Sequence, residues 1–505
     1  MTTVIEPNDE RAAIEAWGDI DWTTHEQNVN RVQERIFRAS RDKKWAKLKN
    51  LQKLITRSRS AKLLAVRRVT QINSGKHTAG IDGEIYLTGT KRLKIFQEIS
   101  LLDPRDYRCQ PVRRIIIPKP DGGERPLGIP AVKDRVMQAI VKMALEPEWE
   151  ARFEPNSYGF RSGRRCQDAI RQIRSNINIV NGKTTSEWIL DADISRCFDM
   201  IDHDMLLDKI PVFRQTVRRW LKAGAVELGN LIIPTRGTPQ GGVISPLLAN
   251  IALDGMERLF DLESRTGKYK PPSERSGCNR GVSLVRYADD FVVTAPSRDI
   301  IATHVIPAIE TFLGGRGMNL NKAKTRVVHR EEGFDFLGFS IRQINRKGNT
   351  ICLVTPSKNS IKRLLGKVKD VLDSNKQAKA SVIVELLNPI LRGWANYFRH
   401  CNAKKAFAYM DYRVWQMMWH WCRRRHPMKG KRWVKNRYFI HALNRDWVFG
   451  EKDGRTLFIL AKVRVDSSNY VKVRGYNSPF DPALREYWSK RESKARIQRV
   501  EPHLL

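Results

Sequence analysis

Residues 285–293 read Val-Arg-Tyr-Ala-Asp-Asp-Phe-Val-Val, so two adjacent carboxylates, Asp289 and Asp290, stand between apolar runs rich in β-branched residues. Such runs read as buried strands, and a break at Ala288–Asp289 makes them the two arms of a hairpin. The chain must therefore build a sheet that carries two acids at a turn beside its core. Two unit charges about 4 Å apart repel by roughly 4 kcal/mol at an effective dielectric of 20. A divalent cation would reverse the sign of that term. An isolated Asp-Asp pair is more often a solvated turn, so the reading depends on what the rest of the chain supplies.

A further acid lies upstream. Residues 187–194 read Glu-Trp-Ile-Leu-Asp-Ala-Asp-Ile. In a strand, Asp191 and Asp193 share one face, while Leu190, Ala192 and Ile194 share the other. An acid at a strand end with an acidic turn downstream suits two divalent ions about 3.5–4 Å apart. In nucleotidyl transfer one such ion activates a 3′-hydroxyl and the other stabilises the leaving pyrophosphate. A few hard oxygen ligands favour Mg²⁺, which keeps waters and substrate phosphates as its remaining ligands.

The totals point to a polyanion. At 505 residues the chain is expected to hold several domains. Lys and Arg outnumber Asp and Glu by 91 to 54, a net charge of +37 and a pI near 10.2, which a folded protein most plausibly uses on nucleic acid. No stretch approaches eighteen consecutive apolar residues, so a membrane partner is not expected. The acidic, polar start resembles neither a secretory signal nor a transit peptide. Seven scattered cysteines with no C-x-x-C indicate neither a disulfide framework nor a zinc ribbon. Cys401 and Cys422, with His400 and His420, fit no common zinc spacing. The expected compartment is reducing, the cytosol.

Helical spacing runs through residues 10–75, with Trp17, Trp22, Val29, Val32, Ile36, Trp45, Leu48, Leu51 and Leu54 on the apolar side. Strands are expected at 112–118, 188–194, 230–234, 284–294 and 326–329, with a turn at Pro120-Asp121-Gly122-Gly123. A helix is expected at 131–150 and helical sequence from about 357 to 425. Residues 268–281 read as a surface loop, and the last fifty residues as short strands among charged turns.

These residues carry a resemblance. Tyr287-Ala288-Asp289-Asp290 matches the Y-A-D-D box of reverse transcriptases, and Asp-Ile-Ser-Arg-Cys-Phe at 193–198 matches their first acidic motif. Further blocks follow in order: 78–83 (TAGIDG), 117–130 (IPKPDGGERPLGIP), 157–161 (SYGFR), 237–250 (GTPQGGVISPLLAN), 320–325 (LNKAKT), 336–339 (FLGF) and 387–398 (LNPILRGWANYF). From about residue 20 onward the chain resembles a bacterial group II intron reverse transcriptase, or maturase.

The resemblance implies an α+β, right-hand polymerase fold with fingers and palm, a helical thumb and a small basic C-terminal appendage. The implied division is 1–85 (N-terminal helical extension), 86–355 (fingers and palm), 356–450 (thumb or maturase domain) and 451–505 (DNA-binding-like segment). Asp193, Asp289 and Asp290 become the ligands of two Mg²⁺ ions, with Ile194 joining them in the metal and nucleotide set. Asp191 is read as a hydrogen-bonded or solvated neighbour. Phe198 falls where the family places an aromatic ring under the incoming sugar; a ring there would collide with a 2′-hydroxyl and favour deoxynucleotides. Lys119 and Arg125 flank the Asp-Gly-Gly turn and together suit a triphosphate. The glycines of 237–242 allow close approach of substrate, and Gln240 brings a donor and an acceptor to the nucleotide. Lys324 matches the family's Lys in L-N-x-x-K-T, a proton donor to pyrophosphate or a surface lysine. The 336–339 turn would position the primer end.

From Arg413 to Arg445 there is no Asp or Glu. Trp415 and Trp419 share a helical face with Tyr412 and Cys422, a stripe read as core. Arg423, Arg424, Arg425, Lys429, Lys431 and Arg432 would then face RNA phosphates. The expected partners are group II intron RNA, a DNA target or primer and dNTPs; monomer and dimer are both open. Residues 478–482 (SPFDP) resemble the family's DNA-binding segment. The paired C-x-x-C motifs of the H-N-H nuclease module that many relatives carry are not in the sequence, so second-strand cleavage is not expected. The leading expectation is an RNA-directed DNA polymerase that assists intron splicing and copies the intron for mobility. A splicing-only RNA-binding maturase and a host-domesticated polymerase are the alternatives. An RNA-copying RNA polymerase is disfavoured by Phe198.

Overall fold

The computed structural model describes residues 16–497, apart from 119–121, 179–185, 228, 264–268, 347–348, 443–444, 452–453 and 467–469. Lys119 and the first half of the expected turn beside it thus lie outside the described residues.

Three helices open the described chain: Trp22–Arg41, Trp45–Arg57 and Arg59–Arg67. The first starts where Asp21 accepts the backbone N–H of Thr23 at 3.0 Å, a side-chain N-cap. Their apolar faces, with Val29, Ile36, Leu51 and Ile55 all buried, pack on the long helix Val132–Glu150.

The central sheet is buried on both faces, as its near-continuous apolar runs imply. Strand Trp188–Ser195 pairs antiparallel with Asp290–Ala295, which pairs with Ser283–Tyr287; the far edge is taken by Asn319–Leu320 and Arg326–His329. Leu190, Ala192 and Ile194 enter one hydrophobic core, shared with the N-terminal helices. Ile189 enters a second core on the opposite face, shared with the C-terminal helices. Asp191 and Asp193 lie on Ile189's side by strand parity.

A second sheet carries the hairpin Val112–Pro118/Glu124–Ile129 with Ala225–Glu227 and Asn230–Ile232. A third holds Phe334–Phe336, Phe339–Arg346 and Asn349–Pro356. None of these three strands was among the expected ones: Ile341, Gln343, Cys352 and Val354 are buried, but polar residues such as Arg342 and Asn345 blur the period of two. Helices Lys358–Ser374, Ala380–Phe398 and Lys404–Arg425 follow, as the spacing predicts.

The last fifty residues differ from expectation. Among the described residues beyond Phe449 the sole β contact is a bridge between Gly450 and Thr456, and Arg485–Ile497 is a helix. Its sequence is mostly charged, so no apolar period announces it. This segment is also less an appendage than a strap. Buried Asp168 accepts both Arg491 contacts (2.8 Å each), the Val473 N–H (2.9 Å) and the Tyr470 hydroxyl (3.0 Å). Gly163 has φ +73°, and a Cβ there would come within 2.7 Å of the Trp488 ring. Arg485 pairs with Glu34, and Arg41 with Asp481 at 3.0 Å, tying the end of the chain to its first helix.

Candidate active site

The Tyr-Ala-Asp-Asp turn is held from beneath. Tyr287 pairs with Asp290, and Ala288 between them takes φ +61°, a conformation costing an L-residue about 1–2 kcal/mol. Its neighbours leave little alternative: a Cβ on Gly159 would lie 2.4 Å from the Ala288 nitrogen. Arg286 is fully buried and donates from Nη1 to the Ala288 carbonyl (3.1 Å) and to Asn250 Oδ1 (3.0 Å). Asn250 Nδ2 donates to the Gly159 carbonyl (2.8 Å). The SYGFR block, helix Ser245–Leu253 and the acidic turn are thus one hydrogen-bonded unit.

That unit brings three acids together. Asp193 stands opposite Asp290 in the sheet register, and the Ile194 N–H donates to the Asp289 carbonyl at 3.3 Å. Burial holds Asp289 above the ordinary carboxylate range, and the Asp193 charge adds to this. Burial of the carboxyl, then the charges of Asp289 and Asp193, push Asp290 up to about 7, although the residue keeps solvent contact through the cleft. Asp193 Oδ2 accepts from Lys324 Nζ (3.0 Å) and Asn321 Nδ2 (3.2 Å). Lys324 thus faces the carboxylates, whatever its part in the reaction. Asp191 pairs with Arg326 (2.9 Å), its register partner, and is the satisfied neighbour its sequence context implies. The Ile194 side chain is buried in the core, which leaves only its main chain able to meet a metal or nucleotide.

A cleft of about 1180 Å³ opens over these acids. Phe198 lines it, 9% exposed, with Phe160 edge-on at 6.4 Å. Phe160 is half exposed and has φ +58°; sequence reasoning passed over it, though its place inside the SYGFR block was a signal. Arg125 Nε donates to Gln240 Oε1 (2.7 Å), and Gln240 Nε2 reaches Asp199 Oδ1 (3.4 Å). A guanidinium only donates and a carboxylate only accepts, so these two neighbours fix which way the amide faces. The Gly128 N–H donates to the Gln240 carbonyl (2.8 Å). Gly241 has φ +126°, and a Cβ there would meet the Gly128 oxygen at 2.5 Å. The 336–339 turn reaches the same cleft through Leu337, with φ +50° and +79° at Leu337 and Gly338. Tyr397, Ser357 and Ser360 bond its two carbonyls at 2.9 Å each, while Phe336 and Phe339 are core.

Far along the C-terminal helices, Arg423, Arg424, Lys429, Lys431 and Arg432 are exposed, as a phosphate-facing surface requires. Arg425 is not part of that surface: its Nη1 donates to the Ala378 carbonyl and its guanidinium lies 5.3 Å from the Trp421 ring. The last residue of helix Lys404–Arg425 thus turns back onto the loop between helices Lys358–Ser374 and Ala380–Phe398. Trp415 and Trp419, expected in the core, pack against it with partial exposure, whereas Cys401 and Cys422 are buried in it.

Comparison with known proteins agrees with this geometry. Residues 117–341 match the family Reverse transcriptase (RNA-dependent DNA polymerase), 17–99 the N-terminal domain of reverse transcriptase, and 361–439 the Group II intron, maturase-specific domain. Protein YkfC of Escherichia coli is 33% identical over 329 residues, covering 60% of this chain and 85% of that one. The group II intron-encoded protein LtrA of Lactococcus lactis is 28% identical over 420 residues, 67% and 69% of the two chains. Maturase-like protein 1 of Euglena gracilis is 28% identical over 392 residues, 76% and 77%. With acids, cleft and basic helices in the order these matches run, the chain belongs to the group II intron reverse transcriptase and maturase family and is an RNA-directed DNA polymerase with a maturase domain.

Proposed function

We propose that the chain binds a group II intron RNA, assists its splicing and copies it into cDNA for intron mobility, using Asp193, Asp289 and Asp290 as the ligands of two Mg²⁺ ions. The observation that carries this is the register: Asp193 and Asp290 face each other across one strand pair, with Asp289 beside them. Among the described residues no three His, Cys, Asp or Glu side chains form a ready-made metal cage. Each Mg²⁺ would take one or two of these carboxylates and complete its shell with water and substrate phosphate. When bound, the ions would lower the pKa of the primer 3′-hydroxyl and balance charge on the phosphates.

The central sheet serves as palm, the 112–129 hairpin as fingers and the helices from Lys358 as thumb, in the division given from the sequence. Arg125, anchored through Nε by Gln240, supplies its guanidinium to the triphosphate, with Lys119 assigned the same task from sequence. Phe198 closes the floor under the sugar. Lys324, 3.0 Å from Asp193, balances the acids and would give a proton to pyrophosphate. DNA and dNTPs are the remaining partners, and the cytosol the proposed location; no helix among the described residues is long and apolar enough to cross a membrane.

Two outcomes are expected. Phe198→Ala should raise ribonucleotide incorporation relative to deoxynucleotide in primer extension on an RNA template; an unchanged ratio would remove Phe198 from the sugar site. Changing Arg423 and Arg424 to Ala should weaken RNA binding and flatten its salt dependence by roughly 0.7–0.9 log units per lost phosphate contact. Equal slopes in a salt titration would mean these arginines do not meet phosphate.

A further inference from the structure

Helix Lys404–Arg425 carries Tyr412, Trp415 and Trp419 on one face, three and four residues apart. Their rings run nearly parallel: Tyr412 and Trp415 are 6.4 Å apart at 19°, Trp415 and Trp419 6.2 Å at 9°. Trp447, on strand Arg445–Phe449, stands edge-on to both tryptophans at 6.0 and 5.5 Å. Tyr412 and Trp447 remain 55% and 40% exposed. Together with Leu391 and Met418 they line an open cavity of about 250 Å³. Trp415 and Trp419 pack on the C-terminal core and keep partial exposure, while Tyr412 and Trp447 carry the stripe out to solvent.

Two details mark the cavity as more than loose packing. Trp447 has φ +64°, a left-handed conformation that is a true outlier for so bulky a residue. A register irregularity between Ile440 and Ala442 in the partner strand accompanies it. The Trp415 Nε1–H is shut off from solvent and has no acceptor among the described residues.

The charge around the cavity favours a polyanion. The Lys435 ammonium lies 5.9 Å from the Trp447 ring, Arg445 lines the cavity, and Arg423 is one turn beyond Trp419. Two acids also line it, and both are engaged. Asp411 accepts the N–H groups of Leu460 and Ala461 at 2.8 Å each and pairs with Arg445 at 3.5 Å; Asp446 pairs with His441 at 2.8 Å. Exposed rings with cations beside them are the means by which proteins hold unpaired nucleotides, because every base has a face to stack.

We propose that the Tyr412–Trp415–Trp419–Trp447 ladder is a stacking platform for unpaired bases of bound RNA. The proposal rests on the RNA-binding reading of these helices and deepens it. RNA rather than DNA is the occupant because the maturase-specific match at 361–439 includes three of the four rings.

The test uses the full chain, a short oligouridine and the same ribose-phosphate strand without bases, each titrated over a range of salt. Trp447→Gly removes the ring at a position whose backbone glycine adopts without strain, and Tyr412→Leu changes an exposed side chain; thermal melting verifies that both variants fold. Oligouridine affinity should fall by about 5- to 150-fold, the loss of stacking on one base. The slope of log affinity against log salt should not change, because no phosphate contact is lost. Trp447→Phe should keep most of the affinity, and the baseless strand should bind wild type and variants alike. Unchanged oligouridine affinity, an equal loss for the baseless strand, or a wild-type dimer that Trp447→Gly dissociates would each overturn the platform. Failure of the RNA-binding reading looks different: the wild type itself would bind neither strand.

Discussion

Asp289→Ala should abolish cDNA synthesis on a primed RNA template with Mg²⁺ and dNTPs, a loss on the order of a thousandfold or more. RNA binding should be nearly intact, because the basic helices that would contact phosphate lie far along the chain from the turn. The substitution should not unfold the sheet. The hydrogen bond from Ile194 ends on the Asp289 main-chain oxygen, which alanine retains. The lost carboxylate is one that burial and Asp193 already hold above its ordinary range, so its removal relieves repulsion in the metal-free protein. Primer extension, filter binding and thermal melting on one preparation separate these effects. Retained synthesis would sink the assignment of the triad.

Asp168→Ala should be the most damaging change outside the cleft. Its carboxylate is fully buried and meets Arg491, Val473 and Tyr470 at once. Removing it leaves an arginine buried without its counter-charge, a loss of about 3–5 kcal/mol. Loss of the strap should expose residues 451–497 to limited proteolysis before the central sheet is attacked. Arg491→Met should do similar harm. Joining it with Asp168→Leu should recover the part of the loss that comes from the unpaired charge, while the Val473 N–H and Tyr470 hydroxyl stay without their acceptor. If the double variant is as unstable as either single one, the strap is held by other contacts.

How much of this was legible follows from the kind of signal each part carries. From Leu190 to Ser195 apolar and polar residues alternate, so the shared face of Asp191 and Asp193 could be read directly. The Ala288 turn was visible because two apolar runs flank it. Hairpin 339–356 was hidden by polar residues among its apolar ones, Arg342 and Asn345 among them. Helix Arg485–Ile497 was hidden because it is fixed by long-range partners, Asp168 and Gly163, over three hundred residues away in sequence. Arg425 was read with its two neighbours as one cationic run, yet helix rotation turns it toward Ala378 while they face solvent. The half-open tryptophan ladder was read as core, because a helical aromatic stripe does not say what covers it.

The central claim is that Asp193, Asp289 and Asp290 hold two divalent ions for nucleotide transfer. The most direct measurement is a crystal of the protein with primed RNA template and dNTP, soaked in Mn²⁺ and read by anomalous scattering. Two peaks about 3.5–4 Å apart, in contact with these three carboxylates, are the result this account predicts. Manganese bound elsewhere, or no peak between Asp193 and Asp290 in crystals that still extend the primer, would contradict it.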